Sequence, residues 1–161
     1  MIFPPVKHQK GTGVFSFSEQ IRVCTENIAP FSAECVKSVF GEAFSDGNFI
    51  LSAEKCDADE HEESYSLFTE EKNGCLYTKI KASEEKGFVR ALFTLKRMLI
   101  KNEFALGEIY DYPSFSVRGY IEGFYGTPWK SEERLEMMEL MALFGENTHY
   151  YNYSYGDRIR G

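Results

Sequence analysis

The last third of the chain runs strand, aromatic glycine-rich turn, helix, strand, and that order admits few folds. "FSVRGYIEG" (115–123) has strand character, "FYGTPW" (124–129) is the turn, "SEERLEMMELMALF" (131–144) is helical and "NTHYYNY" (147–153) is a second strand. Ser131 suits a helix N-cap, Glu132 and Glu133 complement the positive helix end, and Gly145 follows as the C′ residue. Two strands joined by a helical crossover lie parallel. Parallel pairs are nearly always covered on both faces, and one βαβ unit covers only one. The helix is apolar over a wide arc (Leu135, Met137, Met138, Leu140, Met141, Leu143, Phe144). Arg118 and Glu122 alternate with Val117, Gly119 and Ile121, so one strand face carries charges that need partners inside a closed structure. The pattern reads as the opening of a larger α/β fold, an incomplete barrel.

The preceding residues read as a small two-layer α/β domain. "VFSF" and "IRVCTE" are short strands, and "NFILSA" is a compact apolar one. Between them Pro30 and the N-cap candidate Ser32 announce a helix with Cys35, Val36, Val39, Phe40 and Ala43 at helical spacing, and Gly47 is expected just past its end. "YSLFT" and "CLYTKIK" form a hairpin whose Asn73-Gly74 turn supplies the positive φ angles a tight connection needs. Tyr65, Leu67 and Thr69 share one hairpin face, as do Leu76, Thr78 and Ile80. A helix over "KGFVRALFTLKRMLIK", with Phe88, Leu92, Leu95 and Leu99 as its stripe, is the expected cover. Pro113 then breaks regular structure, and the boundary is placed near Asp111, giving domains at 1–111 and 112–161.

Composition narrows the partners. Hydrophobic residues at 43%, with 14 Phe and 10 Tyr, support a packed core, and a net charge of −7 argues against a nucleic-acid backbone. No apolar run approaches the roughly 20 residues that cross a bilayer, so no membrane partner is expected. "MIFPPVKHQKGTG" has too short an apolar core for a signal peptide; the chain reads as cytoplasmic as written, or as a product whose leader has been removed. Cys24, Cys35, Cys56 and Cys75 match no zinc or redox spacing and read as free thiols. "EKCDADEHEES" (54–64) lacks the glycine and terminal glutamate of a calcium loop and reads as a solvated acidic loop rather than a metal site.

"RGYIEGFYGTPW" (118–129), followed by "ENTHYY" (146–151), resembles the opening of the catalytic barrel in glycoside hydrolases of family eighty-four, the β-N-acetylglucosaminidases that include O-GlcNAcases and hyaluronidase-like enzymes. The earlier stretch from "YSLFT" to "IYDYPSFSVRG" is similar to the α/β domain that precedes the barrel in these enzymes and in β-hexosaminidases. The resemblance implies an α/β fold: a β-hexosaminidase-type N-terminal domain, then the first part of a (β/α)8 barrel that in full takes about 250 residues. It also implies a retaining, substrate-assisted hydrolase of N-acetylglucosamine-containing glycans that uses neither metal nor organic cofactor.

Carried over residue by residue, Gly123, Phe124 and Tyr125 match the first-strand corner that borders the sugar subsite, where barrel sites form. The family's second strand continues N-T-Y-x-Y-A-P-K-D-D, against Asn147 to Gly156 here, so Ser154 stands where a sugar-contacting lysine is expected and both acids are missing. The family's chemistry uses an adjacent Asp-Asp pair on a later strand. No such pair occurs in these residues, since Asp57 and Asp59 are separated by Ala58. No catalytic residue is therefore assigned, and this chain alone is expected not to hydrolyse glycans.

Several side chains keep two readings. Glu122 is a strand-end acid catalyst, or a structural carboxylate paired inside the barrel with a residue such as Arg118 or a base on a further strand. Trp129 anchors the strand–helix corner or stacks on a sugar. His149 is a strand residue among tyrosines or a general base. Tyr150, Tyr151, Tyr153 and Tyr155 are core, subsite or exposed edge. A non-catalytic module that binds carbohydrate or protein is the second functional reading, and a relic without selected function a third. The uncovered apolar helix face leads to an expectation of self-association.

Overall fold

The hairpin is the organising element. Asn73 and Gly74 adopt φ of 54° and 79°, which turns β5 (Tyr65–Lys72) directly back onto β6 (Cys75–Ala82) in the register Thr69↔Thr78 and Leu67↔Ile80. The strict alternation then sends Tyr65, Leu67, Leu76 and Ile80 inward and leaves Lys79 and Lys81 on the outer face, each paired with Glu54. The computed structural model describes residues 6–57, 61–123 and 129–151, and the chain divides into the units Met1–Ser114 and Phe115–Gly161.

In the first unit, β1 (His8–Lys10), β3 (Val23–Thr25), β4 (Phe49–Lys55) and β8 (Gly107–Asp111) complete a six-stranded sheet in the order β1-β8-β5-β6-β4-β3. β3, β4 and β6 run parallel, and β5, β8 and β1 pair antiparallel. A separate ladder joins β2 (Val14–Phe15) to β7 (Phe104–Ala105). α1 (Ala33–Phe40) and α2 (Glu85–Lys101) supply Val36, Val39, Phe88, Leu92 and Leu95 to the core, each fully buried apolar side chain contributing about 1.5–3 kcal/mol of transfer free energy. Phe31 stacks on Phe88 at 4.5 Å, and Phe104 meets Phe49 edge-on at 5.0 Å. Mixed α/β architecture and the covering helices follow the sequence reading. Cys24, Cys35, Cys56 and Cys75 are free thiols.

α1 differs at its end. Ser32 caps it as expected, accepting from the Glu34 N–H at 3.2 Å, but the helix stops at Gly41, whose φ of 55° only glycine takes without strain. A 3₁₀ turn (Gly41–Ala43) follows. Gly47 is not the helix stop. It lets the backbone pass Arg22, whose carbonyl oxygen would lie 2.5 Å from an added Cβ.

The second unit contains β9 (Gly119–Glu122), α3 (Ser131–Leu143) and β10 (Thr148–Tyr151). β9 and β10 pair in parallel, Gly119↔Thr148 through Glu122↔Tyr151, as the helical crossover predicts. β9 is shorter than the expected strand because side chains capture the carbonyls before it: Arg118 donates to Phe115 O, and Asn147 Nδ2 to Ser116 O at 2.7 Å. The N-cap is Lys130, not Ser131; the Lys130 N–H donates to the Glu133 carboxylate at 2.7 Å. Gly145, at φ 80°, closes the helix as expected. Ile121 is 70% exposed and Tyr150 61%, so among the described residues the face of β9 and β10 turned away from α3 is uncovered. No helix among the described residues is long and apolar enough to cross a membrane.

Candidate active-site corner

The corner forms where β9 and β10 end side by side. Gly119 makes the pairing feasible: a Cβ there would lie 1.6 Å from the Thr148 carbonyl oxygen. Alternation along the two strands places Tyr120, Glu122, His149 and Tyr151 on one face, since Tyr120↔His149 and Glu122↔Tyr151 are register partners. α3 meets that face through Arg134.

Glu122 is only 7% exposed. Arg134 Nε donates to both of its carboxylate oxygens at 3.1 and 2.9 Å, and Nη2 donates to Oε1 at 2.7 Å. The same Nη2 lies 3.2 Å from the Tyr151 hydroxyl, and the guanidinium sits 4.9 Å from the Tyr151 ring centroid. The Glu122 partner is thus Arg134, not Arg118, because β9 residues of the same parity as Arg118 face α3 while Arg118 itself turns to the Gly145 carbonyl at 2.8 Å. His149 Nε2 approaches Glu122 Oε2 at 3.4 Å, without the alignment of a hydrogen bond, and its ring stacks on Tyr120 at 4.6 Å. Among the described residues, Tyr120 Oη and His149 Nε2 are buried without hydrogen-bond partners. Trp129 lies 6.0 Å from the Tyr120 ring and remains 38% exposed. It lines a groove of about 330 Å³ along α3 with Glu133, Glu136, Met137 and Leu140.

Hydrogen bonds from Arg134 hold the Glu122 carboxyl below its ordinary value of 4.5, against the opposing effect of burial. A carboxylate with both oxygens engaged by a guanidinium is a poor proton donor at neutral pH, so the geometry assigns Glu122 to structure rather than acid catalysis. Because its folded value is depressed, its stabilisation is fully present above 4.5 and is lost as pH falls through the lower folded value. Trp129, the single tryptophan, reports on this unit. Its unfolding transition is expected to weaken on acidification below 4.5 in the native chain, and to lose that part of the pH dependence in Glu122→Gln.

Gly123 follows β9 directly and is exposed, at the C-terminal end of a parallel strand. Phe124, Tyr125, Tyr153, Ser154 and Tyr155 lie outside the described residues. Arg134 is the site group that sequence reasoning missed, while Tyr151 was in view with its contact to Arg134 left open. A cation in the first turn of a helix opposes the macrodipole, and that misfit was the one available sign that Arg134 has an anion to meet. Among the described residues no group of three His, Cys, Asp or Glu side chains is placed to hold a metal ion.

Residues 118–156, which contain this corner, match the family model described as beta-N-acetylglucosaminidase. Over those residues the chain is similar to β-N-acetylglucosaminidases. Its fold is shared along almost its whole length with CpGH84B, at 26% identity and a TM-score of 0.66, covering 94% of this chain and 29% of that one. A GH20 exo β-N-acetylglucosaminidase from Vibrio harveyi, in complex with N-acetylglucosamine, matches at 22% identity and TM-score 0.67 over 92% of this chain and 25% of its own. The β-N-acetylhexosaminidase from Bacteroides fragilis matches at 15% identity and TM-score 0.66, over 94% of this chain and 32% of its own. The chain therefore spans between a quarter and a third of the glycoside hydrolases it matches. The β-N-acetylglucosaminidase-type segment begins at Arg118, the residue that ties the start of β9 to Gly145 behind α3.

Proposed function

We propose that these 161 residues are the N-terminal portion of a retaining β-N-acetylglucosaminidase that acts on N-acetylglucosaminyl glycans or glycoproteins. Residues 1–111 serve as the β-hexosaminidase-like α/β domain, and 112–161 open a (β/α)8 catalytic barrel. The observation that carries this reading is the parallel β9–α3–β10 unit, with Gly123 at a strand's C-terminal end inside the matched segment. Barrel sites form at that end. Gly123, Phe124 and Tyr125 border the sugar subsite, with an aromatic ring against the apolar face of the pyranose.

The chemistry of this reading is substrate-assisted. One carboxylate orients the substrate's own acetamide, which attacks the anomeric carbon; a second protonates the leaving oxygen and later activates water. Neither carboxylate is supplied by these residues, because no two aspartates are adjacent in the sequence. No metal or organic cofactor takes part. Exposed Leu135, Met138 and Leu140 on α3, with Phe144 at its C-cap, form the surface that packs against further barrel elements or drives self-association.

The substitution of Ser154 for the lysine favours a second reading, a non-catalytic carbohydrate- or protein-binding module. One pair of assays separates the two from each other and from a self-sufficient enzyme. The purified chain is expected to release no chromophore from a chromogenic N-acetylglucosaminide, and to shift the Gly123 amide when titrated with N-acetylglucosamine. Hydrolysis by the chain alone would overturn both readings. A well-behaved monomer that binds a glycan or protein without moving Gly123 favours the module.

A further inference from the structure

Arg134 closes on the last residue of both strands at once. Its fork engages Glu122 at 2.7–3.1 Å and reaches Tyr151 at 3.2 Å, and these two residues are register partners at the C-terminal ends of β9 and β10. The strands share four paired positions each, and among the described residues no third strand joins them. Such a short parallel pair has little of its own to hold register. Two parallel N–H···O bonds to a carboxylate fix orientation as well as distance. The carboxylate is 6% exposed and the guanidinium side chain 22%, so water competes weakly for either.

The next residue along β9 is Gly123. We infer that Arg134 is a positioning residue of the sugar subsite: it holds the ends of β9 and β10 together and so sets where the Gly123 backbone meets the ligand. This inference rests on the reading of the corner as an N-acetylglucosamine subsite. A lysine would supply the charge without the planar fork, which separates positioning from simple charge balance.

The test uses the full 161-residue chain and its variants Arg134→Met and Arg134→Lys, read by amide NMR. In Arg134→Met the Gly123 amide is expected to move, with first-unit amides unchanged. The dissociation constant for N-acetylglucosamine should rise by roughly tenfold to a hundredfold, the scale of a misplacement of about 1 Å. Arg134→Lys should recover only part of both effects. A merely structural role would lower the Trp129 unfolding midpoint while leaving the Gly123 shift and the affinity of the folded fraction as in the native chain, and that result overturns the inference. If the Arg134→Met second unit does not fold, Arg134→Lys decides by the same two readouts. Should the native chain bind no N-acetylglucosamine while Arg134→Met still displaces the Gly123 amide, the subsite reading falls and the positioning of Gly123 stands. An unmoved Gly123 amide in both variants overturns the positioning whatever the sugar does.

Discussion

Gly119→Ala is expected to abolish the β9–β10 pairing. The new Cβ falls 1.6 Å from the Thr148 carbonyl oxygen and 2.6 Å from its carbonyl carbon, and both obstacles are backbone, so no rotamer change relieves them. The strands must separate, which breaks the ladder through Glu122↔Tyr151 and pulls the two ends away from Arg134. The loss is set at about 4 kcal/mol or more, in the exceptional range for one substitution. Trp129 emission follows the second unit, while far-UV circular dichroism is dominated by the first unit's sheet and helices. The expected result is a tryptophan spectrum already unfolded at 25 °C with most of the dichroism kept. A Trp129 transition indistinguishable from that of the native chain would show that the strands are not packed this closely.

Asp111→Ala should produce the largest polar loss in the first unit. Asp111 is 6% exposed and collects three donors: the Tyr65 hydroxyl at 3.2 Å, Arg90 Nη2 at 2.9 Å and the Lys7 N–H at 3.2 Å. Tyr65 also meets the Thr94 hydroxyl at 2.7 Å, so the group links β5, β8 and α2. Burial, with the Asp111 charge adding to it, pushes the Tyr65 phenol well above its usual range, so it stays a neutral donor at any physiological pH. Removing the acceptor leaves Tyr65 with Thr94 alone and the largely buried Arg90 with only the Glu63 carbonyl at 3.1 Å and the Glu63 carboxylate at 3.9 Å, which costs about 2–3 kcal/mol. For a unit of this size the melting midpoint should fall by on the order of 15 °C. Asp111→Asn keeps an acceptor and should lose less. Equal melting of Asp111→Ala and the native chain by circular dichroism would refute the network.

These two sites differ in how far the sequence revealed them. Tyr65, Leu67 and Thr69 alternate inward because the hairpin has period two, and Asn73-Gly74 sets its register; both are local facts of the chain. The stripe on α2 follows from helical spacing in the same way. The parallel sense of β9 and β10 came from the order strand, helix, strand. The sugar-subsite proposal also came from a local string, the block from Arg118 to Trp129. By contrast, the reason for glycine at position 47 is the close pass of its backbone by Arg22, a contact that no local window contains.

The mixed α/β class, the hairpin, the covering helices and the strand–turn–helix–strand order of the segment that matches the family model were all legible in the chain, because each is written in spacings of a few residues. Only the tertiary structure decided which charges meet. From the chain alone Arg118 was the partner in view for Glu122, and the structure gives Arg134 instead because pairing β9 with β10 turns the Glu122 face toward α3. A side chain's partner is fixed by where two elements pack, and packing of elements distant along the chain leaves no periodic mark within either one.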